Sequence, residues 1–224
     1  MQNLDVLYRH RFSARDRERR DRIWRVLCRH FFQRYVRAGD TVLDLACGLG
    51  EFSRHIRAAR RIAVDLNPDA AALLPHEVEA HIGDATRLDF LADGSVDVCF
   101  TSNFFEHLPS KPDFDRLLAE VLRVLRPGGL LVALQPNVKY APGDYWDFYD
   151  HHLPLSHLSC AEAFAMAGFE VTDLVGRFLP WTTRSLLPQH PLLVRLYLSI
   201  RPAWWVLGRQ FLIVGRKPGV QAAR

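Results

Sequence analysis

Apolar and polar positions alternate in two rhythms along the chain. Between residues 13 and 37, Ile23, Trp24, Leu27, Phe31 and Tyr35 recur at helical spacing, and arginines fill much of the opposite face. This predicts a helix that Gly39-Asp40 ends. Short apolar runs follow at 41–45, 62–65, 80–83, 96–102 and 130–134, bounded by Gly, Asp, Asn or Pro. Such runs read as strands. Helical stretches separate them at about 50–59, 69–74 and 112–125. The third carries Phe114, Leu117, Leu118, Val121, Leu122 and Leu125 on one face, and Pro127-Gly128-Gly129 stops it. Strands alternating with helices imply an α/β fold, a doubly wound parallel sheet with helices on both faces.

The last third breaks the rhythm. Residues 136–158 read as an aromatic, histidine-rich loop. Ser159-Cys160-Ala161-Glu162 has the form of a capping box that starts a helix, and Gly168 ends it. Residues 169–175 read as a strand, 177–209 as an apolar, proline-broken insertion with short helices, and 211–214 as a closing strand.

Composition narrows the class. Of 224 residues, 49% are hydrophobic and 24% charged, which predicts one packed domain rather than disorder. The formal charge is +4, and arginines crowd the first 37 residues, among them Arg9, Arg11 and Arg15. That run is either a solvated helix face or a contact with an anionic surface. Cys28, Cys47, Cys99 and Cys160 are scattered without a CxxC pair, so neither a zinc ribbon nor a redox dithiol is signalled. Reduced thiols and the lack of a signal-peptide pattern fit a cytoplasmic location. No apolar run reaches membrane-spanning length; the longest, 192–214, is cut by Arg195, Arg201, Pro202 and Arg209.

The chemistry concentrates at strand ends. Gly48 and Gly50 follow the first strand, Asp65 ends the second, Asp84 the third, and Asn103 follows the fourth. In a doubly wound sheet these ends line one crevice. A carboxylate at the second can accept from both ribose hydroxyls, and one at the third from an adenine amine. The crevice therefore suits an adenosine-containing cofactor. A dinucleotide is disfavoured: G-x-G-x-x-G requires glycine where Ser53 stands, and Asp44 would oppose a pyrophosphate. A sulfonium bearing an ammonium group would be served better.

In these segments the chain resembles the class I S-adenosylmethionine-dependent methyltransferases. V-L-D-L-A-C-G-L-G at 42–50 resembles the family's first motif, A-V-D-L-N at 63–67 its second acidic position, and G-D-A at 83–85 its adenine-contacting segment. The stretches 96–108 and 125–132 resemble its fourth strand, connecting helix and fifth strand. The resemblance implies a Rossmann-like, seven-stranded, mostly parallel sheet whose last strand, 211–214, is antiparallel. It divides the chain into a helical cap, 1–37, and a cofactor domain, 38–224, with acceptor-side insertions at 136–158 and 177–209. It also implies S-adenosyl-L-methionine as cofactor. Asp44, Ala46, Cys47, Gly48 and Gly50 would flank the methionine part, Asp65 the ribose, and Leu66, Asp84 and Ala85 the adenine. Asn103 would lie beside the methyl-bearing end.

The expected reaction is methyl transfer by in-line attack, with O-methylation of a small molecule or glycan-type acceptor as the leading expectation. A histidine general base would serve it, and His107, His151 and His152 are the candidates, with His157 behind them. Asp150 and Glu106 could orient such a histidine or act alone. Loop packing remains the alternative role for each. No metal is expected, because no ligand cluster shows along the chain. Asn103-Phe104-Phe105-Glu106 lacks the prolines found in methyltransferases of nucleic-acid amines, so nucleic acid is disfavoured as a partner. Tyr140, Tyr145, Trp146, Phe148, Tyr149, Phe178, Trp181, Trp204 and Trp205 are candidates for an acceptor wall. The segments 140–158 and 177–209 resemble those of uncharacterised bacterial methyltransferases, which points to a cell-surface glycan or natural product. Two alternatives stay open. One is a membrane-peripheral enzyme for a lipid-linked acceptor, with 177–209 as lid or membrane patch; the other is a cofactor-binding module without catalysis. Oligomeric state is left open by the sequence.

Overall fold

The computed structural model describes residues 14–181 and 190–219. The first arginines, Arg9 and Arg11, and positions 182–189 of the insertion lie outside the described residues. The amphipathic N-terminal segment forms α1 (Ala14–His30), followed by a 3-10 turn at Phe32–Tyr35. Then come β1 (Thr41–Leu45), α2 (Glu51–His55), β2 (Arg60–Asp65), α3 (Asp69–Leu73), β3 (Val78–Ile82) and β4 (Val96–Ser102). A 3-10 turn, Phe105–His107, leads to α4 (Lys111–Val124) and β5 (Leu125–Pro136). The remainder is α5 (Pro142–Tyr145), α6 (His157–Met166), β6 (Glu170–Val175), α7 (Pro191–Ser199), α8 (Arg201–Leu207) and β7 (Gln210–Arg216).

The seven strands form one sheet in the order β3-β2-β1-β4-β5-β7-β6. β1 pairs in parallel with β2 and β4, β2 with β3, and β4 with β5. β7 runs antiparallel to both β5 and β6. The order reverses between β1 and β4, so the ligand crevice of a doubly wound sheet opens at the carboxyl ends of these strands. Because β7 is antiparallel, its first residue, Gln210, reaches the same edge, as does the end of β6.

Strand periodicity sorts the core into two layers. Leu43, Leu45, Ile62, Val64, Leu131 and Ile213 pack with α4 and α6. Val42, Val98, Phe100, Val132, Leu212 and Val214 pack with α1 and the α7–α8 side. In the second layer, Phe52 stacks on Phe100 with ring centroids 3.7 Å apart. Burial on both faces explains why β1 and β4 read as continuous apolar runs.

Several boundaries differ from expectation, and three of them have a clear physical cause. The helix expected at 50–59 stops at His55, because Ala59 and Arg60 donate their N–H groups to the Asp40 carbonyl, which draws the chain into β2. The helix before Pro127-Gly128-Gly129 already ends at Val124, where Leu125 pairs with Val96 and opens β5. The capping box of α6 is Ser156 with Ser159, not Ser159 with Glu162, so the helix begins at His157.

Candidate active site

Three left-handed residues shape the turn after β1: Ala46 at φ 55°, Gly48 at 57° and Gly50 at 72°. A fourth, Asn103 at φ 52°, ends β4. Left-handed backbone at non-glycine residues costs roughly 1–2 kcal/mol, and here both cases flank the reversal of strand order. Gly50 precedes α2, and a Cβ on it would come within 2.4 Å of the Leu74 side chain. The close approach served by Gly50 is thus to the protein's own α3–β3 connection.

Asp65 closes the turn from the side. Its Oδ2 accepts the Gly48 N–H at 2.7 Å and its Oδ1 the Asn67 N–H at 2.8 Å. Burial raises its pKa while these backbone donors pull it back. Asp44 is also buried, and its Oδ2 accepts both the N–H (3.1 Å) and the hydroxyl (2.7 Å) of Ser53. Burial pushes its pKa up to about 7 against the Ser53 bonds, and nearby Glu51 and Asp65 add to the rise. Ser53, where a dinucleotide site needs glycine, therefore anchors Asp44 to the first turn of α2. Burial, then the charges of Asp44 and Asp65, raise the Cys47 thiol, which stays protonated.

The crevice residues fit an adenosine bearing a cationic sulfur. Asp65 and, when ionised, Asp44 make the turn acidic, while Glu51 is paired with Arg20 at 2.8 Å; this charge opposes a pyrophosphate. Leu66 is 58% exposed directly after the Asp65 carboxylate, and Ile82, paired in register with Asp65, is 51% exposed. Two bare aliphatic side chains at neighbouring strand ends suit the flat face of a base. Asp84 is exposed and its Oδ1 accepts from the Thr86 N–H and hydroxyl, while Ala85 is buried in the core.

Across the reversal point, a second polar set surrounds the end of β4. Asn103 Oδ1 accepts from Gln210 Nε2 at 2.7 Å, and its Nδ2 donates to the Ser102 hydroxyl. Gln135 on β5 is buried; its Oε1 accepts the Phe104 and Phe105 N–H groups, while its Nε2 has no partner among the described residues. His107 follows on the 3-10 turn. Its Nδ1 lies 3.0 Å from the Asp150 carbonyl and 3.2 Å from the Asp150 carboxylate. Burial alone would lower the His107 pKa; the Asp150 hydrogen bond and the Glu106 and Asp150 charges outweigh it, and the net change is upward. The loop from β5 is tied down here, since the Glu106 carbonyl accepts the N–H groups of His152 and Leu153.

The structure brings His107 and His151 together, with ring centroids 5.1 Å apart, and separates His152, whose side chain is exposed. His151 is buried and lies nearly parallel to Phe148 (4.8 Å) and Trp181 (5.9 Å). Glu106, His107 and His151 each offer a ligand atom within 4.8 Å of the others, a cluster that spacing along the chain did not announce. His157 is engaged elsewhere: Asn137 Nδ2 donates to its Nδ1 at 2.9 Å. Of the aromatic wall, Tyr145, Phe178 and Trp204 are core residues, and Trp146, Tyr149 and Trp205 are exposed. Sequence reasoning missed Ile82, Gln135 and Gln210. Gln135 carried a signal, as the polar residue closing the apolar run Leu130–Leu134.

A family profile described as a methyltransferase domain matches residues 43–133. A Mycolicibacterium smegmatis protein named "Probable S-adenosylmethionine-dependent methyltransferase" is 32% identical over 148 residues, covering 63% of this chain and 56% of that protein. The 2-methyl-6-phytyl-1,4-hydroquinone methyltransferase of a Synechocystis strain is 34% identical over 121 residues, covering 49% of this chain and 37% of that enzyme. The chain thus spans about half or less of the length of these relatives. Among solved structures, a SAM-dependent methyltransferase from Archaeoglobus fulgidus superposes with a TM-score of 0.67 at 19% identity, covering 96% of this chain and 100% of that one.

Proposed function

The chain belongs to the class I S-adenosylmethionine-dependent methyltransferases, and from that premise we propose that it methylates a hydroxyl of a small molecule or glycan-type acceptor, with His107 as general base. The observation that carries this reading is the position of His107: just beyond the end of β4, with Nδ1 held by Asp150. When bound, S-adenosylmethionine supplies a methyl group on positively charged sulfur, a good leaving group.

What remains for the chain is placement and proton transfer. Asp65 and the glycine turn hold the ribose end, with Leu66 and Ile82 against the base. Asp44 supports the turn from below through Ser53. Fixing two reactants in place can remove roughly 7–11 kcal/mol of a barrier in favourable cases. With Nδ1–H donated to Asp150, the neutral His107 ring keeps its Nε2 lone pair for the acceptor proton. A base so placed contributes roughly 10²–10⁴-fold. The Asp150 and Glu106 carboxylates stabilise the imidazolium that forms, and the buried His151 ring with the half-buried Phe148 and Trp181 rings limits water on that side.

The test is release of S-adenosylhomocysteine from a panel of phenolic, sugar and lipid-linked alcohols, run with the wild type and His107→Ala. Turnover of hydroxyl acceptors that collapses in the variant supports the reading. Turnover confined to amines or thiols, or undiminished in the variant, overturns it.

A further inference from the structure

The α7–α8 hairpin carries a face that the rest of the domain leaves uncovered. Its inner side is core: Val194, Tyr197 and Leu198 pack on the α1 layer, the Tyr197 hydroxyl donates to the Phe178 carbonyl at 2.6 Å, and Trp204 Nε1 donates to the Tyr197 carbonyl at 2.9 Å. Its outer side is apolar as well. Leu192 is 68% exposed, Trp205 75% and Val206 72%, and Leu193, Leu196 and Ile200 are exposed beside them. So dense an exposed apolar patch marks an interaction surface.

Charge selects the partner. No acidic residue follows Asp173, whereas Arg177, Arg195, Arg201, Arg209, Arg216 and Lys217 do. Arg195 and Arg201 are exposed within the apolar face itself. Burial and the charges of Arg195 and Arg29 lower the pKa of His30, which places the end of α1 in the same basic field. A second copy of this chain would set arginines against arginines across an isologous contact, with no carboxylate on the hairpin to answer them. Aliphatic residues with tryptophan and flanking arginines are instead the composition of a helix lying in a bilayer interface, where the apolar groups enter the acyl boundary and the cations meet anionic headgroups.

We propose that the outer face of α7–α8 docks on an anionic lipid bilayer. The hairpin joins β6 to β7 at the sheet edge where the crevice opens: the Asn137 N–H donates to the Arg209 carbonyl, and Gln210 bonds Asn103. The docking hairpin is thus tied directly to the crevice edge through residues 209 and 210. This goes beyond the methyl-transfer reading and does not depend on it.

The test is co-sedimentation of the full chain with sucrose-loaded vesicles of phosphatidylcholine mixed with phosphatidylglycerol, and with phosphatidylcholine alone. Binding is expected to the anionic vesicles, to weaken with salt, and to fall at least about tenfold in Leu196→Ser/Trp205→Ser and in Arg195→Ala/Arg201→Ala. S-adenosylmethionine binding by calorimetry stays unchanged in both variants, which separates lost docking from lost folding or lost cofactor. Absence of binding to anionic vesicles overturns the proposal, as does binding that neither variant weakens. A wild-type dimer by light scattering that Trp205→Ser dissociates also overturns it.

Discussion

On the β1–β3 side of the crevice, the polar groups come from one compact stretch. Asp44 holds Ser53, Asp65 holds Gly48 and Asn67, and Asp84 holds Thr86, all through nearby partners. On the β4–β7 side, the partners are far apart in the chain. His107 meets Asp150 across 43 residues, and Asn103 meets Gln210 across 107. On the proposed reading, the first side is a loop-and-carboxylate scaffold for the cofactor. The second side is built by contacts that depend on where the segments after β5 and before β7 settle, and there the acceptor would bind.

The sharpest way to break this contrast is to remove one group from each side. His107→Ala is expected to lower kcat by roughly 10²–10⁴-fold with little change in S-adenosylmethionine affinity by calorimetry. Asp65→Ala is expected to do the reverse, weakening cofactor binding by on the order of 10²-fold, since it removes charge-assisted bonds worth roughly 1.5–3 kcal/mol each. If either variant damages both quantities equally, the two sides are not separable.

The difference also explains what could be read from sequence. The acids and glycines at 44–85 act on neighbours within a turn or an adjacent strand, so their order along the chain carries their geometry. Strand burial is equally local, which is why β1, β2 and β4 were legible. His107 and His151 were recognisable as candidates, but their pairing needed the Glu106 carbonyl to capture the 152–153 backbone. His152 sits beside His151 in sequence and faces outward for the same reason. Phe178 and Trp204 read like wall residues because aromatic composition alone does not say which face of an insertion packs inward. The α6 start was misplaced because Ser159 caps Ser156 rather than opening its own turn.

Asp150→Asn probes the acceptor side more gently, with an expected loss in kcat of about tenfold to 10²-fold, below that of removing the base. Its diagnostic is pH. The His107 pKa is raised above 6.5, so the base is protonated, and inactive, until the pH passes that raised value. The acidic limb of the kcat profile should therefore lie above the ordinary histidine value and move to lower pH in Asp150→Asn. The linked stability term has the matching sign: it is fully present below the ordinary pKa and is lost as pH rises through the raised one. Chelation addresses the Glu106–His107–His151 cluster. If a shared proton holds these groups, dialysis against EDTA leaves the profile in place. A loss of activity restored by zinc would shift hydroxyl activation to a metal.

The smallest expected effect separates two acids on the same side. Asp44 and Asp65 both end strands at the glycine turn, yet Asp44 is enclosed and bonded to Ser53, whereas Asp65 adjoins the exposed Leu66. Asp44→Asn keeps an acceptor oxygen for both Ser53 donors and removes the ionisation. S-adenosylmethionine affinity should then fall less than about fivefold, well short of the Asp65→Ala loss, because a neutral acceptor at the Ser53 site retains most of the roughly 0.5–1.5 kcal/mol of each bond. Stability carries the clearer signature. With a pKa raised from 3.8 to about 7, the folded state holds the Asp44 proton more tightly than the unfolded chain. That contribution is complete below about pH 4 and disappears as the pH rises through about 7. Urea unfolding should show the wild type losing stability over this window relative to Asp44→Asn, with the variant at least as stable at pH 8. A cofactor loss in Asp44→Asn as large as that of Asp65→Ala would instead make Asp44 a ligand contact and erase the distinction between the two carboxylates.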